Sequence, residues 1–252
     1  MLVTAKALKG YKLHSLDGNI GSAREFYFDD RYWTVRYLVA DAGSWLTGRK
    51  VLISPYSLNL VDTAAQAISV QLTKAQIEAS PSIDTEEPVS RQFENSYYGY
   101  YGYPAYWGGP YMWGDYPYLE RDRSKWGENT GWANGWDHHL RSTYAVTGYH
   151  LEVRDGRIGH IEDFVIEDET WAIRYLVVAT TDFLPGKRIL ISPQWIEKVS
   201  WEESKVVIDL SKQTIKDAPA YFDGSLPTRD QESSLFGHYN RQGYWVDELL
   251  PA

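Results

Sequence analysis

An internal repeat constrains this chain more than any other feature. The stretch Trp33–Pro55 reads WTVRYLVADAGSWLTGRKVLISP, and the stretch Trp171–Pro193 reads WAIRYLVVATTDFLPGKRILISP. The two copies align without a gap at an offset of 138 residues. Self-similarity of this kind in a chain of 252 residues predicts two homologous domains built on the same strand pattern.

Two Asp-Gly pairs open the copies at matching positions. Asp17-Gly18 and Asp155-Gly156 stand between strand-like segments, and Gly21 and Gly159 follow three residues later. Asp-Gly favours a hairpin because glycine tolerates the positive φ of a tight turn. A phosphate-binding loop would need a helix after the glycines, whereas a strand pattern follows here. We therefore predict turns at these positions.

The strand that leads each repeat has large apolar residues at every second position. The alternating residues are Trp33, Val35, Tyr37 and Val39 in the first copy, and Trp171, Ile173, Tyr175 and Val177 in the second. Period-two alternation predicts a strand with one buried face. Arg36 and Arg174 fall on the other face. Either residue could form an ion pair or a catalytic contact, but we favour a sheet-face arginine whose stem covers apolar surface.

The rest of each repeat predicts several short strands and one terminal helix. Thr73 and Ser211 have the chemistry of N-caps before the helical segments KAQIEA and KQTIKDA. Ser54 and Ser192 lack the glycine-flanked turn of a serine nucleophile, so we interpret them as structural. Short strands at close spacing predict a small β-barrel or sandwich.

At these residues the chain resembles the PRC-barrel family, which includes the cytoplasmic domain of the photosynthetic reaction-centre H subunit and the C-terminal domain of the ribosome maturation factor M. The similar segments are DGNIG and DGRIG, WTVRYLV and WAIRYLV, and GRKVLISP and GKRILISP. The segment LTKAQIEASP, followed by PVSRQFENSYYGYYGYPAYWGG, also looks like that of bacterial tandem PRC-barrel proteins. The resemblance covers most of residues 5–120 and 143–222. It implies a small β-barrel that serves as an interaction or assembly module, without shared catalytic residues.

An aromatic segment joins the two copies. Residues 93–118 are about half aromatic, and they show neither a helical nor a clean strand period, so we predict irregular structure. Three interpretations stay open: the aromatics pack on the barrels and tie the lobes together, they form an exposed binding surface, or they form a disordered self-associating tract. The second interpretation predicts partner-binding residues at Tyr98, Tyr101, Trp107 and Trp113.

Composition restricts the partners. The net charge of −9 repels phosphate backbones, and the aromatic segment has no Lys or Arg between Arg91 and Arg121, so nucleic-acid binding is disfavoured. The chain has no cysteine, no run of 18 apolar residues, and no apolar core of signal-peptide length at its start. We expect a cytoplasmic protein without membrane insertion, although peripheral association and homodimer formation stay open. The six histidines, including adjacent His138 and His139, lack metal-ligand spacing, so we expect neither a metal ion nor a cofactor.

The sequence therefore predicts a mainly β protein with two PRC-type barrels, each followed by a short helix. The predicted divisions are a first barrel at 1–81, an aromatic and glycine-rich connecting segment at 82–142, a second barrel at 143–222 and a tail at 223–252. We expect a non-catalytic scaffold module that docks onto a protein partner or complex. Two alternatives are an accessory subunit of a photosynthetic or electron-transfer membrane complex, and a small-ligand binder in the cleft between the lobes.

Overall fold

The structure is a computed structural model that describes residues 1–43, 46, 50–81, 89–127, 139–181, 186–222 and 224–247. Parts of the predicted connecting segment and tail, including Trp132 and His138, lie outside the described residues. The chain forms two compact units. Unit 1 comprises Met1, residues 3–145 and residues 166–173, and unit 2 comprises Leu2, residues 146–165 and residues 174–252.

Within the described residues the chain forms fourteen strands and seven α-helices. The strands are β1 (Leu2–Thr4), β2 (Lys12–Ser15), β3 (Gly18–Asp29), β4 (Thr34–Asp41), β5 (Val51–Ile53), β6 (Leu58–Asp62), β7 (Ala67–Val70), β8 (Leu140–Ser142), β9 (His150–Val153), β10 (Gly156–Glu167), β11 (Ile173–Thr180), β12 (Arg188–Ile191), β13 (Ile196–Ser200) and β14 (Lys205–Ile208). The helices are α1 (Ala5–Leu8), α2 (Lys74–Glu78), α3 (Arg91–Tyr101), α4 (Thr143–Val146), α5 (Lys212–Asp217), α6 (Arg229–His238) and α7 (Tyr244–Asp247).

The two sheets have the same strand order. The first runs β5-β4-β3-β2-β7-β6, with β8 added beside β3, and the second runs β12-β11-β10-β9-β14-β13. The pairings β2 with β7 and β9 with β14 are parallel, and hairpin neighbours are antiparallel. Helices α2 and α5 follow their sheets, and Thr73 and Ser211 cap them as predicted. The prediction of a mainly β protein with two barrel-like sheets and short terminal helices is confirmed.

The Asp-Gly pairs form the predicted turns. Ser15 pairs with Gly18 at the end of β2, and Val153 pairs with Gly156 at the end of β9. A second glycine is needed just beyond the first turn, because Gly21 has φ +118° and a Cβ there would lie 1.9 Å from the carbonyl oxygen of Asp41. A strand follows each turn, so the chain does not build a phosphate loop at either position.

Strand β4 is buried on both faces, so the prediction of a single buried face was wrong. The alternating row led by Trp33 is buried, and so are the intervening residues Thr34, Arg36 and Leu38. The second face is covered because the aromatic residues of the following segment pack on the strand. The guanidinium carbon of Arg36, for example, lies 4.1 Å from the ring centroid of Tyr106.

The first part of the aromatic segment is a helix, which corrects the prediction of irregular structure there. Helix α3 begins after Ser90, whose side chain accepts a hydrogen bond from the amide of Phe93, and it ends at Gly102 with φ +68°. Tyrosine-rich sequence has modest helix propensity, so tertiary packing decides the outcome. Beyond α3, the described part of the segment has one 3₁₀ turn, Arg123–Lys125, and is otherwise largely irregular.

Candidate functional site

The four predicted partner-binding residues do not form an exposed face. Tyr98, Tyr101 and Trp113 are buried in unit 1, and Trp107 is half-buried. Their rings pack against other aromatic rings, as between Tyr98 and Trp107 at 5.0 Å, because the segment covers strand β4. This placement agrees with packing of the aromatics on a barrel, the first of the three interpretations. A partner contact at these residues stays a prediction.

The carboxylate of Glu94, on helix α3, is the centre of a buried cluster in unit 1. It is fully buried, and it accepts hydrogen bonds from the hydroxyl of Tyr37, at 2.9 Å, and from the hydroxyl of Tyr106. The guanidinium of Arg91 forms an ion pair with it at 2.8 Å. A buried carboxylate is tolerated only when it is paired and hydrogen-bonded, and both conditions hold here.

Arg36 joins this cluster as a buried cation in an ion pair, which corrects the favoured prediction of a sheet-face arginine whose stem covers apolar surface. It is the extra residue of a β-bulge where β4 pairs with β3, and a bulge redirects its side chain. Its guanidinium carbon lies 4.1 Å from the ring centroid of Tyr106 and 4.7 Å from that of Trp113. The carboxylate of Asp29 at 3.3 Å and the carbonyl of Met112 at 2.7 Å accept its hydrogen bonds.

Unit 2 contains the same cluster. Glu232, on helix α6, accepts hydrogen bonds from the hydroxyls of Tyr175 at 2.7 Å and Tyr244 at 2.9 Å. Arg229 forms an ion pair with it at 3.0 Å. The guanidinium carbon of Arg174 lies 4.1 Å from the ring centroid of Tyr244, the distance seen between Arg36 and Tyr106. Each side chain of this cluster lies 138 positions after its counterpart.

The sequence contains a signal for these clusters that the sequence analysis missed. Residues 91–107 and 229–245 share a pattern R-x-x-E-x-S-x-x-G-x-Y, followed by Y-W after four intervening residues. The matched residues are Arg91 and Arg229, Glu94 and Glu232, Ser96 and Ser234, Gly99 and Gly237, Tyr101 and Tyr239, Tyr106 and Tyr244, and Trp107 and Trp245. The repeat therefore continues through segments that were assigned to a connector and to a tail.

Tyr37 and Tyr244 stay protonated at neutral pH, because their pKa values are raised. Burial raises the pKa of Tyr37 well above its usual range, and the charge of Glu94 adds to this effect. Burial and the neighbouring Glu232 raise the pKa of Tyr244 to about 12. A neutral phenol that donates to a paired carboxylate fastens one element to another, so the clusters hold α3 and α6 on their sheets.

The serines considered as candidate nucleophiles in the sequence have structural roles. The side chains of Ser54 and Ser192 accept hydrogen bonds from Tyr56 and Gln194 and so cap short 3₁₀ turns. Among the residues that the structure describes, no three His, Asp or Glu side chains lie together in a way that could hold a metal ion. Within the same residues, no helix has the length and apolar character needed to cross a membrane.

Unit 2 has an open cavity of about 150 Å³ between strand β12 and helix α6. Leu190 of β12 and Gln231 and Leu235 of α6 line it, together with Tyr221 and Phe222 of the loop before α6. Tyr221 is held on the edge of β12, because its amide donates to the carbonyl of Arg188 at 2.7 Å. Phe222 is 70 % exposed, so a large apolar side chain stands in solvent beside an apolar cavity.

Comparison with known families finds a similarity in part of unit 2. Residues 150–215 match the PRC-barrel domain. No curated protein matches the chain. The matched residues begin at β9 and end in α5, so the similarity to the PRC-barrel domain spans β9–β14 and reaches the helix that follows them. The first sheet shares the strand order and the internal repeat with this domain.

Proposed function

We propose that this protein is a non-catalytic interaction module that binds a protein partner through the face of unit 2 around Phe222. The observation that carries the proposal is the exposed Phe222 beside the cavity between β12 and α6, adjacent to a PRC-barrel domain. An exposed aromatic residue next to an apolar depression is the usual composition of an interaction hot spot. The clusters around Glu94 and Glu232 support this division of roles, because they stabilise the barrels.

Strand β12 adds a second element to this face. It is an end strand of its sheet, and the described loop residue Tyr221 covers its outer edge at Arg188. Outward backbone groups further along an end strand are available for pairing with another chain. The face therefore offers a partner both apolar surface and backbone hydrogen-bonding groups, the combination that interfaces use for affinity and orientation.

Affinity purification with the full chain as bait tests the proposal. We expect a partner from the native host to be retained at near-stoichiometric amounts and to be lost with the Phe222→Ser variant. With the purified partner, we expect Phe222→Ser to weaken binding at least about tenfold, because hot-spot truncations cost 2 kcal/mol or more. Tyr144→Ser is the matched control, since Tyr144 is 78 % exposed but lies in unit 1.

Two results would contradict the proposal. One is that no protein is retained by the wild-type chain above the level of an unrelated bait. The other is that Phe222→Ser and Tyr144→Ser retain the partner equally well. If Trp107→Ser alone abolished retention, the binding face would lie instead in the aromatic segment of unit 1.

A further inference from the structure

The two units differ at one position where an edge strand needs a hydrogen-bonding partner. In unit 1, the hydroxyl of Tyr97 on helix α3 donates to the carbonyl of Leu52 at 2.9 Å and accepts from the amide of Ser54 at 3.1 Å. Tyr97 is buried. One phenolic hydroxyl thus satisfies two backbone groups at the edge of β5, and its ring fills the space between strand and helix.

Unit 2 has the same strand edge but lacks this phenol. The residue at the position of Tyr97, 138 residues later, is Leu235. Leu190 and Ser192 take the places of Leu52 and Ser54, and the strand register is the same, since Leu52 pairs with Val39 and Leu190 pairs with Val177. Leucine is shorter than tyrosine and has no hydroxyl, so it can satisfy neither backbone group.

The backbone groups of β12 face outward at this point. Arg188 directs its carbonyl away from β11 to the amide of Tyr221, and Leu190, two residues on, has the same orientation. No described residue donates a hydrogen bond to this outward carbonyl of Leu190 or accepts one from the amide of Ser192. Both residues are buried, so unpaired groups here are costly and a ligand that pairs them gains accordingly.

The cavity borders two of the residues that correspond to the Tyr97 contact in unit 1. Leu190 and Leu235 both line it, and its volume is about 150 Å³. Apolar cavities of about this size hold one benzene ring. Gln231 occupies the position of Phe93, whose ring lies 5.8 Å from the ring of Tyr97 in unit 1, so a second aromatic ring is also absent from unit 2.

We propose that this cavity binds a single neutral phenolic ring. Its hydroxyl donates to the carbonyl of Leu190 and accepts from the amide of Ser192, as the hydroxyl of Tyr97 does in unit 1. The source of the ring rests on the proposed function: the ring is the side chain of a tyrosine in the partner polypeptide. A ring without a hydroxyl leaves the backbone groups unpaired, and a phosphorylated tyrosine brings a dianion to a carbonyl oxygen and is rejected.

Binding of small probes to the full chain tests the chemistry without any partner. Titration calorimetry and ligand-observed NMR should show saturable 1:1 binding of p-cresol, the side-chain analogue of tyrosine. We expect toluene to bind at least about tenfold more weakly, because about 1.4 kcal/mol of hydrogen bonding corresponds to a factor of ten. N-acetyl-tyrosinamide should bind and its phosphorylated form should not. Equal binding of p-cresol and toluene, or no saturable binding of p-cresol, would overturn the proposal.

A substitution that introduces the tyrosine of unit 1 into unit 2 tests the location of the phenol site. Leu235→Tyr should place a phenol in the cavity, abolish p-cresol binding and raise the melting temperature by a few degrees. If this variant does not fold, Gln231→Phe fills the same space from one helical turn earlier. Ser234→Ala on the exposed side of α6 is the control and should bind p-cresol as the wild type does. Retention of p-cresol binding by a folded Leu235→Tyr or Gln231→Phe variant would place the site elsewhere.

The two proposals fail in different ways. If no partner is captured but p-cresol binds and Leu235→Tyr blocks it, the proposed interaction function is wrong while the phenol site stands. If a partner is captured through Phe222 but still binds the Leu235→Tyr variant with unchanged affinity, a tyrosine of that partner does not occupy the cavity, and this inference is wrong.

Discussion

The hydroxyl of Tyr175 donates a hydrogen bond of 2.7 Å to the carboxylate of Glu232, 57 residues further along the chain. The hydroxyl of Tyr37 donates to Glu94 at 2.9 Å across the same separation. In each unit this bond joins the second strand of the sheet, β4 or β11, to a helix that follows the barrel repeat. Helices α3 and α6 are therefore structural parts of their units, fastened by a buried carboxylate that two phenols and an arginine satisfy.

Removing the carboxylate should destabilise either unit. In Glu94→Ala or Glu232→Ala, two buried phenol hydroxyls lose their acceptor, so we expect a loss of about 2–4 kcal/mol. The paired arginine also loses its counter-ion, which matters more for Arg91 than for the half-exposed Arg229. Glu→Gln at either position should cost less, because the amide keeps one acceptor oxygen. Urea unfolding measures both, and the exposed Glu202→Ala control should change stability by less than about 0.5 kcal/mol. Equal stability of Glu94→Ala and the control would show that the cluster contributes nothing.

The buried pair of Arg36 and Asp29 should show strong coupling. Arg36→Met leaves the Asp29 carboxylate without its ion-pair partner and removes the cation held between two aromatic rings, so we expect a loss of about 3–5 kcal/mol. Adding Asp29→Asn to Arg36→Met should recover part of this loss. A double-mutant cycle measured by urea unfolding gives the coupling energy, and additive single effects would contradict a direct interaction.

The hydroxyl of Tyr97 should matter more than that of its helical neighbour Tyr100. Tyr97→Phe keeps the ring but leaves the carbonyl of Leu52 and the amide of Ser54 unpaired in a buried site, at a cost of about 1–3 kcal/mol. The hydroxyl of Tyr100 donates to the carbonyl of Gln76 at the surface, where water replaces it, so Tyr100→Phe should cost less than about 0.5 kcal/mol. Thermal and urea unfolding of the two variants measure these costs. Similar losses of stability in Tyr97→Phe and Tyr100→Phe would show that the Tyr97 hydroxyl contributes no more than the Tyr100 hydroxyl.

Alkaline pH should destabilise the protein through its buried tyrosines. Burial raises the pKa of Tyr103 from 10.0 to about 12, so from pH 10 upward the unfolded chain releases a phenolic proton that the folded chain retains. The contribution of each such tyrosine to the free energy of unfolding is fully present below pH 10. It falls as the pH rises towards 12, by at most about 1.4 kcal/mol per pH unit.

Urea unfolding between pH 9 and 12 measures this slope, and absorbance at 295 nm reports ionisation of the phenols. Tyr103→Phe should reduce the slope, whereas Tyr118→Phe, at an exposed position, should leave it unchanged. Stability that is constant up to pH 12 would contradict the burial of neutral tyrosines in the folded state.

Local patterns predicted the strands, turns and short helices well, because these depend on alternation and on the backbone freedom of particular residues. The Asp17-Gly18 turn, the Thr73 cap and the buried row led by Trp33 all follow from sequence spacing. Helix α3 could not be recognised in the same way. Its tyrosines show no helical period, because sheet residues on one side and later aromatic residues on the other bury several of its faces.

The candidate sites were predicted less well. The aromatic residues Tyr98 and Trp113 were identified as a binding surface from their residue type, which predicts contact but does not tell whether the contact is internal. The exposed Phe222 was not singled out, since a lone phenylalanine at the end of the predicted second barrel resembles any surface residue until a cavity is found beside it. The matched clusters around Glu94 and Glu232 could have been found by extending the alignment at the 138-residue offset.

Residue order alone shows that this chain contains two copies of one β-rich pattern, because period and turn chemistry are local properties that can be read without knowledge of packing. Only the packed structure shows which aromatic rings are interior and where the charge of Arg36 lies. Only the packed structure also shows why it matters that Leu235 stands where the first copy has Tyr97. Those outcomes depend on groups brought together from distant parts of the chain. An unfilled space beside a strand edge exists only after the helix and the sheet have packed.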